Sequence, residues 1–169
     1  MKNRETWKSY LALIGFHIFF TIGYALVFGL GHPFARYYQP NQVIGVIMSA
    51  IGIALPMYIV AGYLYVIGRN SIQYVVVSSL KAAFLFTVVL LVFYGISYSI
   101  NLEVFNRNGW LVYVLTNYPI AAVMNSFTLP SDMRSLWVIV TAFIPGLGFV
   151  FGVFLRTLTS GKGTDYYGS

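Results

Sequence analysis

Apolar residues run through this chain in four long stretches that no charge interrupts. Residues 9–30, 43–68, 82–100 and 135–155 each lack Asp, Glu, Lys and Arg. A helix rises about 1.5 Å per residue, so about 20 apolar residues cover the hydrocarbon core of a bilayer. Each stretch meets that length. None shows the strict alternation over about 10 residues that marks a barrel strand. The pattern predicts an all-α fold: a polytopic integral membrane helical bundle with four transmembrane helices.

The spans are placed at about 7–30, 42–68, 74–100 and 135–155. All belong to one transmembrane domain over 1–169, with a flexible tail at 159–169. Gly31, His32 and Pro33 stop the first span, and Pro40 and Asn41 precede the second. Gly68, Arg69 and Asn70 predict a tight turn, which would make spans two and three antiparallel neighbours. The first apolar run exceeds the 7–15 residues of a signal-peptide core and reads as an uncleaved span.

One segment resists this scheme. Residues 110–129 read WLVYVLTNYPIAAVMNSFTL, long enough to cross but interrupted by Asn117, Pro119 and Asn125. A fifth crossing would carry Arg156 and Lys162 to the outer side and weaken the charge bias. The segment is therefore expected to form a hairpin at the outer face, re-entrant or lying at the interface, with a fifth span as the alternative. Re-entrant backbone requires cover from protein or a water-filled cavity.

Charge then orients the bundle. Of the 169 residues only 8% are charged against 59% hydrophobic, and the net charge is +6. Lys2, Arg4, Lys8, Arg69, Arg156 and Lys162 fall on one side, with Lys81 nearby. Arg36, Arg107 and Arg134 fall on the other, offset by Glu103 and Asp132. This bias predicts cytoplasmic N- and C-termini, in a membrane read as the bacterial cytoplasmic membrane. Trp7 and Tyr74 are expected to anchor one interface, and Trp110 and Trp137 the other. The outer charges, with His32, read as solvated loop groups. The cations sit at span ends and form no cluster of four, so nucleic acid is not an expected partner.

Helical spacing groups the small and polar residues. Tyr10, His17, Thr21 and Tyr24 share a face of the first span, and Gly45, Ser49, Gly52, Pro56 and Tyr63 a face of the second. Ser79, Ala83, Thr87, Tyr94 and Ser97 do so in the third. Thr141, Pro145, Gly148 and Gly152 follow in the last. Helix packing is the expected use of Gly45, Ser49, Gly52, Gly148 and Gly152, since small residues let lipid-embedded helices approach closely. The sharper possibility is that the faces converge on a polar path. Pro56 and Pro145 each free a carbonyl four residues earlier and predict kinks.

Four polar residues are the functional candidates: His17 near mid-membrane, Lys81 one to two turns inside the third span, and Asn117 and Asn125 in the interrupted segment. His17 can donate to a neighbouring carbonyl or hydroxyl, and Lys81 can snorkel to the interface or hold an anionic headgroup. Catalytic patterns are missing from the sequence. It has no Cys, two His, no HExxH, no G-x-S-x-G and no phosphate-binding glycine loop. The expectation is a non-enzymatic membrane component without cofactor or metal. Its partners are the lipid bilayer and other membrane proteins or further copies of itself. The alternative is a small transporter or oligomeric channel with a polar path past His17 and residues 117–125.

Overall fold

A computed structural model describes residues 2–29, 31–67, 72–101, 107–134 and 136–160. Every regular element among them is helical: α1 (Lys2–Phe28), α2 (Val43–Tyr65), α3 (Ile72–Ile100), α4 (Arg107–Thr116), α5 (Tyr118–Ala121), α6 (Pro130–Met133), α7 (Leu136–Thr141) and α8 (Ile144–Ser160). Short 3-10 turns occupy Ala35–Tyr37, Pro40–Gln42 and Ala122–Ser126. Four helical stretches are long and apolar enough to cross a membrane: Arg4–Phe28, Pro40–Tyr65, Tyr74–Ile100 and Pro130–Thr159. Helices suit such surroundings because they satisfy their backbone polar groups internally. Phe19, Leu26 and Phe84 are each more than 65% exposed, as lipid-facing side chains would be.

The helix order around the bundle follows from glycine. Gly148 comes so close to α2 that an added Cβ would lie 2.7 Å from the Tyr58 Cβ. A Cβ on Gly152 would run into the Ile59 carbonyl, and one on Gly62 into the Phe149 carbonyl. Gly146 faces the other way, 3.1 Å by the same measure from the Ala83 Cβ on α3. Opposite faces of α8 thus admit α2 and α3, and α8 stands between them. The expected pairing of spans two and three is corrected accordingly: the extensive contacts are α2 with α8, α1 with α3, and α3 with α8. The turn proposed at 68–70 lies outside the described residues.

The last span is longer and less regular than 135–155. It starts at α6, is interrupted after Thr141, and resumes at Ile144. Pro145 cannot donate to the Thr141 carbonyl, and the chain turns at Ala142 and Phe143 before continuing. Pro56, by contrast, lies within an unbroken α2. Thr159 and Ser160 still belong to α8, which corrects the placement of a tail from 159; residues 161–169 lie outside the described residues.

Side chains tie both ends of the bundle. At the N-terminal end the Ser9 and Tyr65 hydroxyls lie 3.0 Å apart, and Arg156 donates to the Tyr63 hydroxyl at 2.9 Å. At the opposite, loop-rich end, Tyr38 donates to the Asp132 carboxylate and Arg134 to the Asn101 carbonyl at the close of α3. His32 and Asp132 are therefore buried, at 4% and 7% exposure, which corrects their reading as solvated loop groups. Glu103 lies outside the described residues, as does the side chain of Arg107.

Candidate functional site

Residues 107–129 enter the bundle and turn back. Helix α4 descends along α3 from the loop-rich end, and its ten residues reach roughly 14 Å, about half a hydrocarbon core. At Asn117 the helix stops. Pro119 has no N–H to continue it, and the Ile120 and Ala121 amides bond instead to the Asn117 carbonyl, at 3.1 and 2.8 Å. The chain climbs back through α5 and the Ala122–Ser126 turn, which packs against Ala35–Tyr37 at the loop-rich end.

Protein covers the tip on every side. Asn117, Tyr118, Ile120, Ala121, Ala122, Val123 and Met124 are at most 2% exposed. Burial of the tip is what a re-entrant hairpin requires, whereas an interfacial hairpin would expose one face. Trp110 is buried at the entry against Tyr94 and Tyr98, with ring centroids 5.6 and 6.5 Å away. That corrects its expected place as an interface anchor. Trp7, Tyr74 and Trp137 stay exposed.

Two hydrogen-bonded knots hold the tip. His17, on α1, has Nε2 2.8 Å from the Thr116 carbonyl and Nδ1 2.6 Å from the Tyr58 hydroxyl. A carbonyl only accepts, so Nε2 carries the ring proton and Tyr58 donates to Nδ1. His17 thereby joins three elements, and it serves the last carbonyl of α4, which the helix break leaves without an amide partner.

Asn117 makes the second knot. Its Nδ2 donates to the Thr141 carbonyl at 3.1 Å and to the Tyr113 hydroxyl at 3.1 Å. The Tyr113 hydroxyl in turn lies 2.7 Å from Thr141 Oγ1, which donates to the Val138 carbonyl at 2.5 Å. The Thr141 carbonyl is the one that Pro145 frees. At each break one freed carbonyl, that of Thr116 or of Thr141, is thus taken by a side chain from another element.

The four candidates separate. His17 and Asn117 meet at the hairpin tip, through adjacent backbone positions. Asn125 is half-buried in the returning limb near the loop-rich end. Lys81 is exposed on α3, toward the N-terminal end. Tyr58 and Tyr113 complete the knots and escape sequence reading, because a tyrosine in an apolar span looks like any other packed ring. Pro145 is the signal that could have found Thr141.

Not all polar atoms are served. Asn117 Oδ1, Thr21 Oγ1, Tyr24 Oη, His32 Nε2 and Ser79 Oγ are buried without a hydrogen-bond partner. The Tyr24 and His32 rings stack, centroids 5.9 Å apart. His32 Nδ1 accepts from the Phe34 amide at 3.2 Å, which leaves Nε2 as the donor of the neutral ring. Among the described residues no group of three His, Cys, Asp or Glu could hold a metal ion.

The small residues also divide. Gly148 and Gly152 lie against α2 within the chain. Gly45, Ser49 and Gly52 all face outward, and nothing lies within 4 Å of a Cβ built on either glycine. Their expected packing role is not met inside one copy of the chain. No family model, curated protein or solved structure matches this chain.

Proposed function

We propose that the protein is a non-enzymatic, complex-forming component of a bacterial cytoplasmic membrane, with both termini on the cytoplasmic side. The observation that carries this reading is the outward row Gly45, Ser49, Gly52 and Pro56 on α2. Within the chain the same kind of row on α8 brings backbones into contact. On α2 the row is open, and Pro56 cannot donate to the Gly52 carbonyl on that face. In lipid such a row favours a second helix, whose close approach gains dispersion contacts. The interior supports the same reading, because His17 has both ring nitrogens engaged and is poorly placed to shuttle protons. Arg4, Lys8, Lys81 and Arg156 toward the N-terminal end support the orientation.

Cysteine cross-linking in native membranes tests this reading, and the absence of native Cys makes it clean. Ser49→Cys is expected to give a cross-linked species, whereas Phe84→Cys, on the exposed face of α3, is not. The product's mass separates self-association from a different partner. Monomer alone at both positions, together with solute transport by the purified protein in liposomes, would overturn the proposal.

A second reading has its own observation. Thr21, Tyr24 and His32 form a run of unpartnered buried polar groups leading from the loop-rich end toward His17. A small transporter or oligomeric channel would use that run and residues 117–125 as part of its path. Solute uptake that Thr21→Val abolishes would favour this alternative.

A further inference from the structure

Toward the N-terminal end, α3 and the start of α1 border an open crevice of about 430 Å³, lined by Thr6, Leu80, Lys81, Phe84 and Leu85. Three of its five described lining residues carry large apolar side chains, and two of these, Leu80 and Phe84, are more than half exposed. One cation stands among them. Lys81 is exposed and makes no hydrogen bond or ion pair with any described residue. Two other cations at this end are engaged: Lys8 lies 2.5 Å from Glu5, and Arg156 bonds Tyr63. We propose that this crevice binds an anionic phospholipid, with the phosphate on Lys81 Nζ and an acyl chain along Leu80, Phe84 and Leu85.

Depth is the first support. The apolar stretch Tyr74–Ile100 has 27 residues. At about 1.5 Å each they span roughly 40 Å, about 10 Å more than a hydrocarbon core. Centred in the bilayer, Tyr74 lies roughly 5 Å outside the core and Lys81, two turns further, roughly 5 Å inside. A lysine stem of about 6 Å covers that distance. Helical Cβ atoms tilt toward the helix N-terminus, so the stem already leans to the nearer interface. The ammonium then reaches the level of lipid phosphates, while its apolar neighbours remain at acyl-chain depth.

Charge is the second support. An ammonium raised to the phosphate level is matched by an anionic headgroup, and no carboxylate is among the crevice's described lining residues. A soluble anion would gain nothing from Leu80, Phe84 and Leu85, whereas an acyl chain gains contact with all three. The combination selects a lipid over free phosphate.

Native mass spectrometry of the whole protein, released from mixed phosphatidylglycerol–phosphatidylcholine micelles, reads the preference directly. Wild type is expected to retain phosphatidylglycerol over phosphatidylcholine, and Lys81→Gln to lower that ratio about fivefold. Lys81→Arg is expected to keep it. Leu85→Trp, which fills the apolar wall without altering charge, is expected to lower retention of phosphatidylglycerol as well. Millimolar inorganic phosphate is expected not to compete. Equal ratios in wild type and Lys81→Gln would overturn the proposal, as would displacement by inorganic phosphate, which would mark a simple anion site. Should Lys81→Gln fail to fold, unchanged retention by Leu85→Trp is sufficient to overturn it.

Discussion

The Nε2–H of His17 is donated to the carbonyl of Thr116, 2.8 Å away and 99 positions further along the chain. This bond ties the middle of the first span to the end of a half-helix that enters from the loop-rich end. It also fixes the tautomer that lets Tyr58 donate to Nδ1 at 2.6 Å. One imidazole thus closes a helix terminus and joins α1, α2 and the hairpin. Its burial at 6% exposure matches a positioning role.

His17→Ala removes a donor and an acceptor together, leaving the Thr116 carbonyl and the Tyr58 hydroxyl unpaired. The expected loss is about 1–3 kcal/mol, with Tyr58→Phe costing about 0.5–1.5 kcal/mol. The two residues share one bond, so the double mutant should fall short of the sum by more than the roughly 0.5 kcal/mol scatter of independent sites. Reversible unfolding in mixed micelles measures the cycle. Strict additivity would mean that the contact contributes nothing to stability.

Much of this architecture was visible in the sequence. The four spans follow from uninterrupted apolar length, which is a one-dimensional property of the chain. The buried hairpin was foreshadowed by Asn117 and Pro119, because Pro removes a donor and Asn can replace one. Helix order was not legible. It depends on which glycine meets which backbone, and Gly45, Gly52, Gly148 and Gly152 look alike in a string of letters. Trp110 misled for a related reason: its amphipathic ring suits an interface, and only the cover from Tyr94 and Tyr98 places it inside. Lys81 was legible as a lysine one to two turns inside a span, but its apolar crevice is a property of the assembled α1 and α3.

The glycines offer a controlled comparison. Gly152→Ala drives a Cβ into the Ile59 carbonyl, which belongs to backbone and cannot swing aside. Separation of α2 and α8 is expected, with a loss of about 1–3 kcal/mol, the usual range for overpacking. Gly52→Ala meets nothing within 4 Å and should leave the fold unchanged within about 0.5 kcal/mol. Thermal unfolding of both variants in detergent decides between them; equal losses would contradict the assigned helix faces.

Asn117 makes a different demand, for a donor. Asn117→Asp keeps the size of the side chain, yet an ionised carboxylate only accepts and would face the Thr141 carbonyl. Fully buried, it is expected to cost more than Asn117→Ala, by about 1–3 kcal/mol. Acidification should recover part of the loss by protonating the carboxyl, which then donates. An Asn117→Ala variant as stable as wild type would show that the Thr141 carbonyl needs no partner.

His32 supplies a pH dependence at the loop-rich end. Burial lowers its pKa from 6.5 to about 4, while an unfolded chain protonates near the ordinary value. Between those limits the unfolded state holds more protons, so stability rises with pH there. The contribution is complete above about pH 6.5 and is lost progressively as the pH falls toward 4. The full window amounts to about 3 kcal/mol. His32→Phe keeps a ring beside Tyr24 and Phe34 but cannot take up a proton. Its unfolding midpoint should fall less than wild type between pH 7.5 and 4.5, and the difference isolates His32 from other titrating groups. Identical pH profiles for the two proteins would place the titration elsewhere.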